Sequence, residues 1–144
     1  MTLKNGLLGG FVGSAVLAAI FVLKSMMGIM PEMDIIVMLS AMMGAPVIAG
    51  WAAHFMIGTI AWGGIFAVAN DLIPGRTQIV KGIVVGLAAW LMMMVAVLPM
   101  AGAGFFGINF GIMGAVLPLM LHIIFGAVMG YVYSAMGQSS AQTA

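Results

Sequence analysis

From Gly82 to the C-terminus the chain carries no aspartate, glutamate, lysine or arginine. A surface that faces water has to be covered with something polar, and soluble domains carry about a quarter charged residues. Here the whole chain carries 5 %. Hydrocarbon rather than water must therefore solvate the outer face. Apolar runs of about 20 residues recur, the length an α-helix needs to cross a hydrocarbon core about 30 Å thick. Hydrophobic residues at 65 % and a mean hydropathy of +1.28 agree with that reading.

A chain of 144 residues has room for four such crossings and no separate soluble domain. The absence of cysteine excludes disulfides, thiolate metal sites and iron–sulfur ligation. A net charge of +1 offers no basic surface for nucleic acid. Lys4 ahead of an apolar run resembles the start of a signal peptide. The run continues through Leu23 without a small-residue cleavage site, so it reads as a retained helix.

The expected fold is all-α: a polytopic four-helix membrane bundle in one domain, with spans at about 7–29, 47–69, 79–98 and 116–136. Pro46 divides the apolar stretch from Ile35 to Ala69, and the piece at 35–45 is too short to cross. It is expected as an interfacial or re-entrant half-helix. Asn70, Asp71, Pro74, Gly75 and Arg76 read as a turn. Pro99 closes the third span. The connector after it, with Gly102, Gly104, Gly107, Asn109, Gly111 and Gly114, is a poor helix that must satisfy its backbone against protein or water. Pro118 suits the first turn of the last span, and 138–144 reads as a flexible polar tail. Lys4, Arg76 and Lys81 fall on one side of this arrangement and Lys24 on the other, which places both termini in the cytoplasm. Lys24 is expected either to pair with Glu32 or Asp34, or to snorkel to the headgroups. The two carboxylates read as a solvated loop and a helix cap.

The chain reads as one helical hairpin written twice, an internal repeat. Asn5-Gly6 through Gly9-Gly10 opens one half, and Lys81-Gly82 through Gly86 the other. In the return helices, His54 with Gly58 matches His122 with Gly126, and the chain has no other histidine. Gly50, His54, Gly58 and Trp62 share one face at a spacing of four, as do Pro118, His122, Gly126 and Gly130. Gly6, Gly10, Ser14 and Ala18 form a further small-residue ridge, widened by Gly9 and Gly13.

Ionisable residues inside a membrane are costly and face the bundle interior. His54 and His122 are therefore the candidate site residues, with four readings open. Each ring ties two helices together; the pair serves a proton or polar ligand; the pair ligates a haem b, with Gly58 and Gly126 making room for the porphyrin; or the pair holds copper with thioethers. The chain has 17 methionines, of which Met38 and Met42, four apart, are the pair that shares a face. Catalysis lacks support, for there is no nucleophile beside a base and no phosphate-cradling loop.

Gly6 to Gly13, Met42-Met43-Gly44, the two histidine–glycine pairs and Pro99-Met100-Ala101-Gly102 together resemble a group of small uncharacterised inner-membrane proteins of bacteria with four helices. The resemblance implies the fold and a bacterial cytoplasmic membrane, and no activity. The function expected from all this is a non-enzymatic membrane subunit or accessory protein, packing through glycine-lined faces into a homo-oligomer or larger complex. Haem or copper binding and a small transporter or channel are the alternatives.

Overall fold

A computed structural model describes residues 2–142, and the side chains of 138–142 are left aside. Among the described residues there are helices and no strands. Four helices are long and apolar enough to cross a membrane: α1 (Leu3–Met26), α3 (Val47–Val68), α4 (Gln78–Met100) and α5 (Met113–Gln142, apolar through Gly137). The short α2 (Ile35–Met42) lies between the first two. The all-α four-span architecture with an extra short helix is thus borne out. The backbone of α5 is helical through Gln142, across most of the stretch expected as a polar tail. Thr143 and Ala144 lie outside the described residues.

Local chemistry sets the helix ends. Thr2 caps α1 by accepting from Asn5 N–H, and Thr77 caps α4 by accepting from Val80 N–H at 3.2 Å. Asp34 caps α2 through Oδ1, which accepts from Ile36 N–H at 2.9 Å and Val37 N–H at 3.1 Å. Gly44 at φ +60 ends α2, and Pro46 stands before α3. The α3–α4 turn is closed by paired amides: Asn70 Nδ2 donates to Gln78 Oε1 at 2.8 Å, and Gln78 Nε2 to Asn70 Oδ1 at 3.1 Å. Lys81 Nζ donates to the Asn70 carbonyl at 2.6 Å. The α4–α5 connector winds through positive-φ positions at Gly102, Gly104, Phe106, Gly107 and Gly111 around a 3-10 turn, Phe105–Phe110. Asn109 Nδ2 donates to the Gly102 carbonyl at 3.0 Å.

Lys24 does not pair with a carboxylate. Its ammonium donates to the carbonyls of Ile29 (2.9 Å), Met30 (2.8 Å) and Met33 (3.0 Å). A charge near the end of a membrane helix is cheapest where several oxygens replace its hydration, and the tight loop after α1 supplies three.

Side by side, the helices run in the order α3, α1, α5, α4, with α2 laid on α3. Lipid tails are as apolar as leucine, so close backbone approach and dispersion hold membrane helices together rather than the hydrophobic effect. Glycine provides that approach here. The two glycine sets of α1 do not form one widened ridge; they face different partners. Gly6 and Gly10 meet Gly63 and Gly58 of α3, whereas Gly9 and Gly13 meet Met129 and Phe125 of α5. In the other hairpin Gly82 and Gly86 of α4 meet Gly126, Gly130 and the His122 carbonyl of α5. Gly50 admits the Ile36 carbonyl of α2. Between these contacts lies a core of Leu17, Phe66, Val85, Leu121, Phe125, Met129 and Tyr133. A second cluster of Met33, Met94, Leu98 and Ala103 seals the end where α2 and the connector meet. No extended contact joins α3 to α4.

Candidate functional site

The missing α3–α4 contact leaves a cavity of about 310 Å³, lined by all four long helices, by α2 and by the stretch leading into it. Leu17, Phe21, Trp62, Leu117, Leu121 and Phe125 make most of its wall apolar. The side chains on it with polar atoms are few: Ser14, Lys24 and Ser25 from α1, Asp34 before α2, His54 and the Trp62 indole from α3, and His122 from α5. The two histidines, placed far apart in the chain, line one space. Each lies two to three turns inside its helix, roughly 10–14 Å at 1.5 Å per residue.

The ring nitrogens can be assigned from their partners. His54 Nε2 lies 3.1 Å from the Ser14 carbonyl oxygen. A carbonyl only accepts, so in the neutral ring Nε2 carries the hydrogen and Nδ1 is a bare acceptor. His122 Nδ1 lies 2.7 Å from the Pro118 carbonyl oxygen, so there Nδ1 donates and Nε2 is bare. Pro118 lies inside α5, which begins at Met113. Aromatic edges frame the His54 ring, with the Phe21 centroid at 5.3 Å and that of Phe55 at 5.4 Å.

Ser14 is the third polar group at this level. It is wholly buried, at 0 % exposure, and its Oγ has no hydrogen-bond partner. A helical serine can donate to the carbonyl four residues back; this one does not. Its Oγ instead stands where a Cβ on Gly58 would be, so Gly58 is what leaves room for the hydroxyl. In an apolar setting an unpaired hydroxyl costs about 1–3 kcal/mol.

Both helices flanking the open side depart from α winding beside the cavity. In α3 the segment Ile57–Trp62 is a π-helix, with Gly63 N–H reaching back five residues to the Gly58 carbonyl. In α4 the segment Met93–Val97 is also π, and Leu98 N–H reaches the Met93 carbonyl. Such single π turns recur at functional sites. They also revise the expected α3 face. The extra residue brings Gly63 rather than Trp62 against α1, and Trp62 turns to the cavity.

The remaining sequence candidates fall elsewhere. Gly126 is closed off by the Gly82 carbonyl and Ile83 Cα and does not line the cavity. Met38 packs against the Met33–Met94 cluster, and Met42 is exposed; neither lines the cavity. The thioethers that do are Met33, Met92 and Met93. Among the described residues no group of three or more histidine, aspartate or glutamate side chains gathers as a metal site. Ser14 was visible in the sequence only as part of a small-residue ridge. Its signal was a hydroxyl four residues from glycine in an otherwise apolar helix.

A family profile described as "Family of unknown function (DUF6789)" matches residues 2–144. The chain belongs to that family. No curated protein matches it, and no solved structure does. The cavity, its two imidazoles and the buried hydroxyl are therefore the ground on which a function has to be argued.

Proposed function

We propose that this chain is a membrane-embedded binding protein whose intramembrane cavity holds a small, largely apolar molecule, with His54, His122 and Ser14 as its polar contacts. The observation that carries this reading is the pair of imidazoles on one apolar cavity, each keeping one ring nitrogen unbonded, with the buried and unpartnered Ser14 hydroxyl packed beside them against Gly58. Buried polar groups are ordinarily paired, and an apolar pocket with a few convergent polar groups is the usual form of a small-molecule site. Both histidines also bond backbone carbonyls, so the helix-tying role and the binding role belong to different nitrogens of the same rings.

The glycine ridges expected to recruit other chains are largely engaged inside this one, which is why binding is put forward ahead of assembly. The duplicated-hairpin reading is kept: Gly6 with Gly10, and Gly82 with Gly86, are used alike against the two return helices. On the lysine–arginine balance we place both termini in the cytoplasm, with α2 and the nearer end of the cavity on the far side of a bacterial inner membrane.

The test is native mass spectrometry of the protein released from lipid nanodiscs, beside elemental analysis. A retained small molecule on the wild type, lost in the folded double variant His54→Ala/His122→Ala, is the expected result. Wild-type protein that never carries such a mass refutes the reading. Stoichiometric iron or copper transfers the site to the haem or metal alternative.

A further inference from the structure

Resting on that reading, we propose that the ligand is a lipid-borne hydroxyl compound, a phenol or quinol type of head on a hydrocarbon body, and that its head enters sideways from the bilayer between α3 and α4.

The polar groups decide what the head carries. His54 Nδ1 and His122 Nε2 can only accept hydrogen bonds, and Ser14 Oγ can accept or donate, so the partner must bring donors. A cation would bring donors too, but it needs a compensating carboxylate. The one carboxylate on the cavity wall, Asp34, already has the Lys24 ammonium on the same wall to balance it, so a second positive charge would lie there unmatched. A neutral O–H group meets the same acceptors without the cost of moving charge through hydrocarbon.

The size of the space decides how much of the ligand it holds. About 310 Å³ is at the lower end of small-molecule pockets, roughly 300–1,000 Å³. That suffices for one ring with its substituents. A hydrocarbon body has to remain outside, in the lipid.

The walls decide the route. Glycine contacts close α1 against α3, α1 against α5, and α4 against α5. The end nearest water lies under the loop that Lys24 fastens through three carbonyls, and Ser25 and Pro31, exposed on the cavity lining there, leave it reachable by small water-soluble molecules. Between α3 and α4, Ile57 and Met92 line the cavity while being 40 % and 49 % exposed, which opens it on the side that faces hydrocarbon. These two side chains stand beside the two π segments, on helices that share no extended contact.

The experiment uses hydroquinone bearing a ten-carbon chain, its dimethyl ether, and unsubstituted water-soluble hydroquinone, all under reducing conditions, with protein in nanodiscs. The chain has no cysteine, so Ile57→Cys/Met92→Cys places two unique thiols that a bismaleimide can bridge across the opening. Saturable binding of the long-chain hydroquinone is expected, lost in His54→Ala/His122→Ala. The ether, stripped of both donors, should bind at least roughly tenfold more weakly. Bridging should slow loading of the long-chain probe at least tenfold and leave loading of plain hydroquinone unchanged. Equal binding of the ether overturns hydroxyl recognition. Equal slowing of both hydroquinones, or slowing of neither, overturns the lateral route while the cavity remains a binding site. Failure of every probe to bind saturably at the histidines overturns the binding reading together with this one.

Discussion

Ser14→Ala should make the ligand-free protein more stable and its ligand complex weaker. The serine is wholly buried and its Oγ bonds to nothing, so folding strips water from the hydroxyl and returns no hydrogen bond. Mutational data put that penalty at about 1–3 kcal/mol. Alanine keeps the Cβ that packs toward Gly58 and loses one oxygen, whose dispersion contacts are about 0.1–0.2 kcal/mol per atom pair. Interhelical hydrogen bonds in membranes are themselves modest, about 0.6 kcal/mol on average, which argues for the low end of the penalty. The net expectation is a gain of about 1 kcal/mol, a shift in melting temperature of roughly 4 °C for a chain of this size. Delipidated protein unfolded reversibly in mixed micelles, followed by tryptophan fluorescence, measures it. The same variant should bind the long-chain hydroquinone several-fold less tightly. Opposite signs in the two assays mark a group held for a ligand. A loss of 1 kcal/mol or more in the ligand-free state refutes the reasoning, because it would mean that the hydroxyl is bonded within the fold.

Two further outcomes follow from the packing. Gly126→Leu should lower stability by the upper part of the about 1–3 kcal/mol typical of overpacking, or more, because its Cβ would lie 2.9 Å from Ile83 Cα and against the Gly82 carbonyl, both backbone. Gly64→Leu, where a Cβ meets nothing within 4 Å, should stay within about 0.5 kcal/mol; equal effects in the same micelle titration would show that glycine contact does not hold this bundle. Lys24→Met should free the carbonyls of Ile29, Met30 and Met33 and raise hydrogen exchange around residues 28–33 at least tenfold, about 1.4 kcal/mol. Unchanged exchange there would mean that the lysine does not fasten the loop.

The sequence disclosed the elements whose causes are local. A proline at 46 and a capping aspartate at 34 delimit α2 whatever packs on it, and the uncharged run beyond Lys81 forces spans because no alternative solvent suits it. The two histidines could be picked out because an imidazole is conspicuous among alkyl groups. What lay beyond reach depends on neighbours. Gly6 and Gly9 are equally small, and only the helix order assigns one to α3 and the other to α5. That Ser14 lacks a partner is a statement about every atom around it. The carbonyls that Lys24 finds are positioned by a loop containing Met30 at φ 43, a conformation no pattern of residue types announces.

The π turn in α3 has a consequence for how firmly His54 is aimed. Each residue of an α-helix advances the azimuth by about 100°, so rewinding Ile57–Trp62 to regular pitch would swing everything on one side of it by that angle. An indole would then be pressed where even a single methyl meets the Gly6 carbonyl. The tight seat of Gly63 against Gly6 therefore acts as a ratchet pawl at one end of the segment, and the imidazole of His54 beyond the other end inherits its bearing from a contact nine residues away.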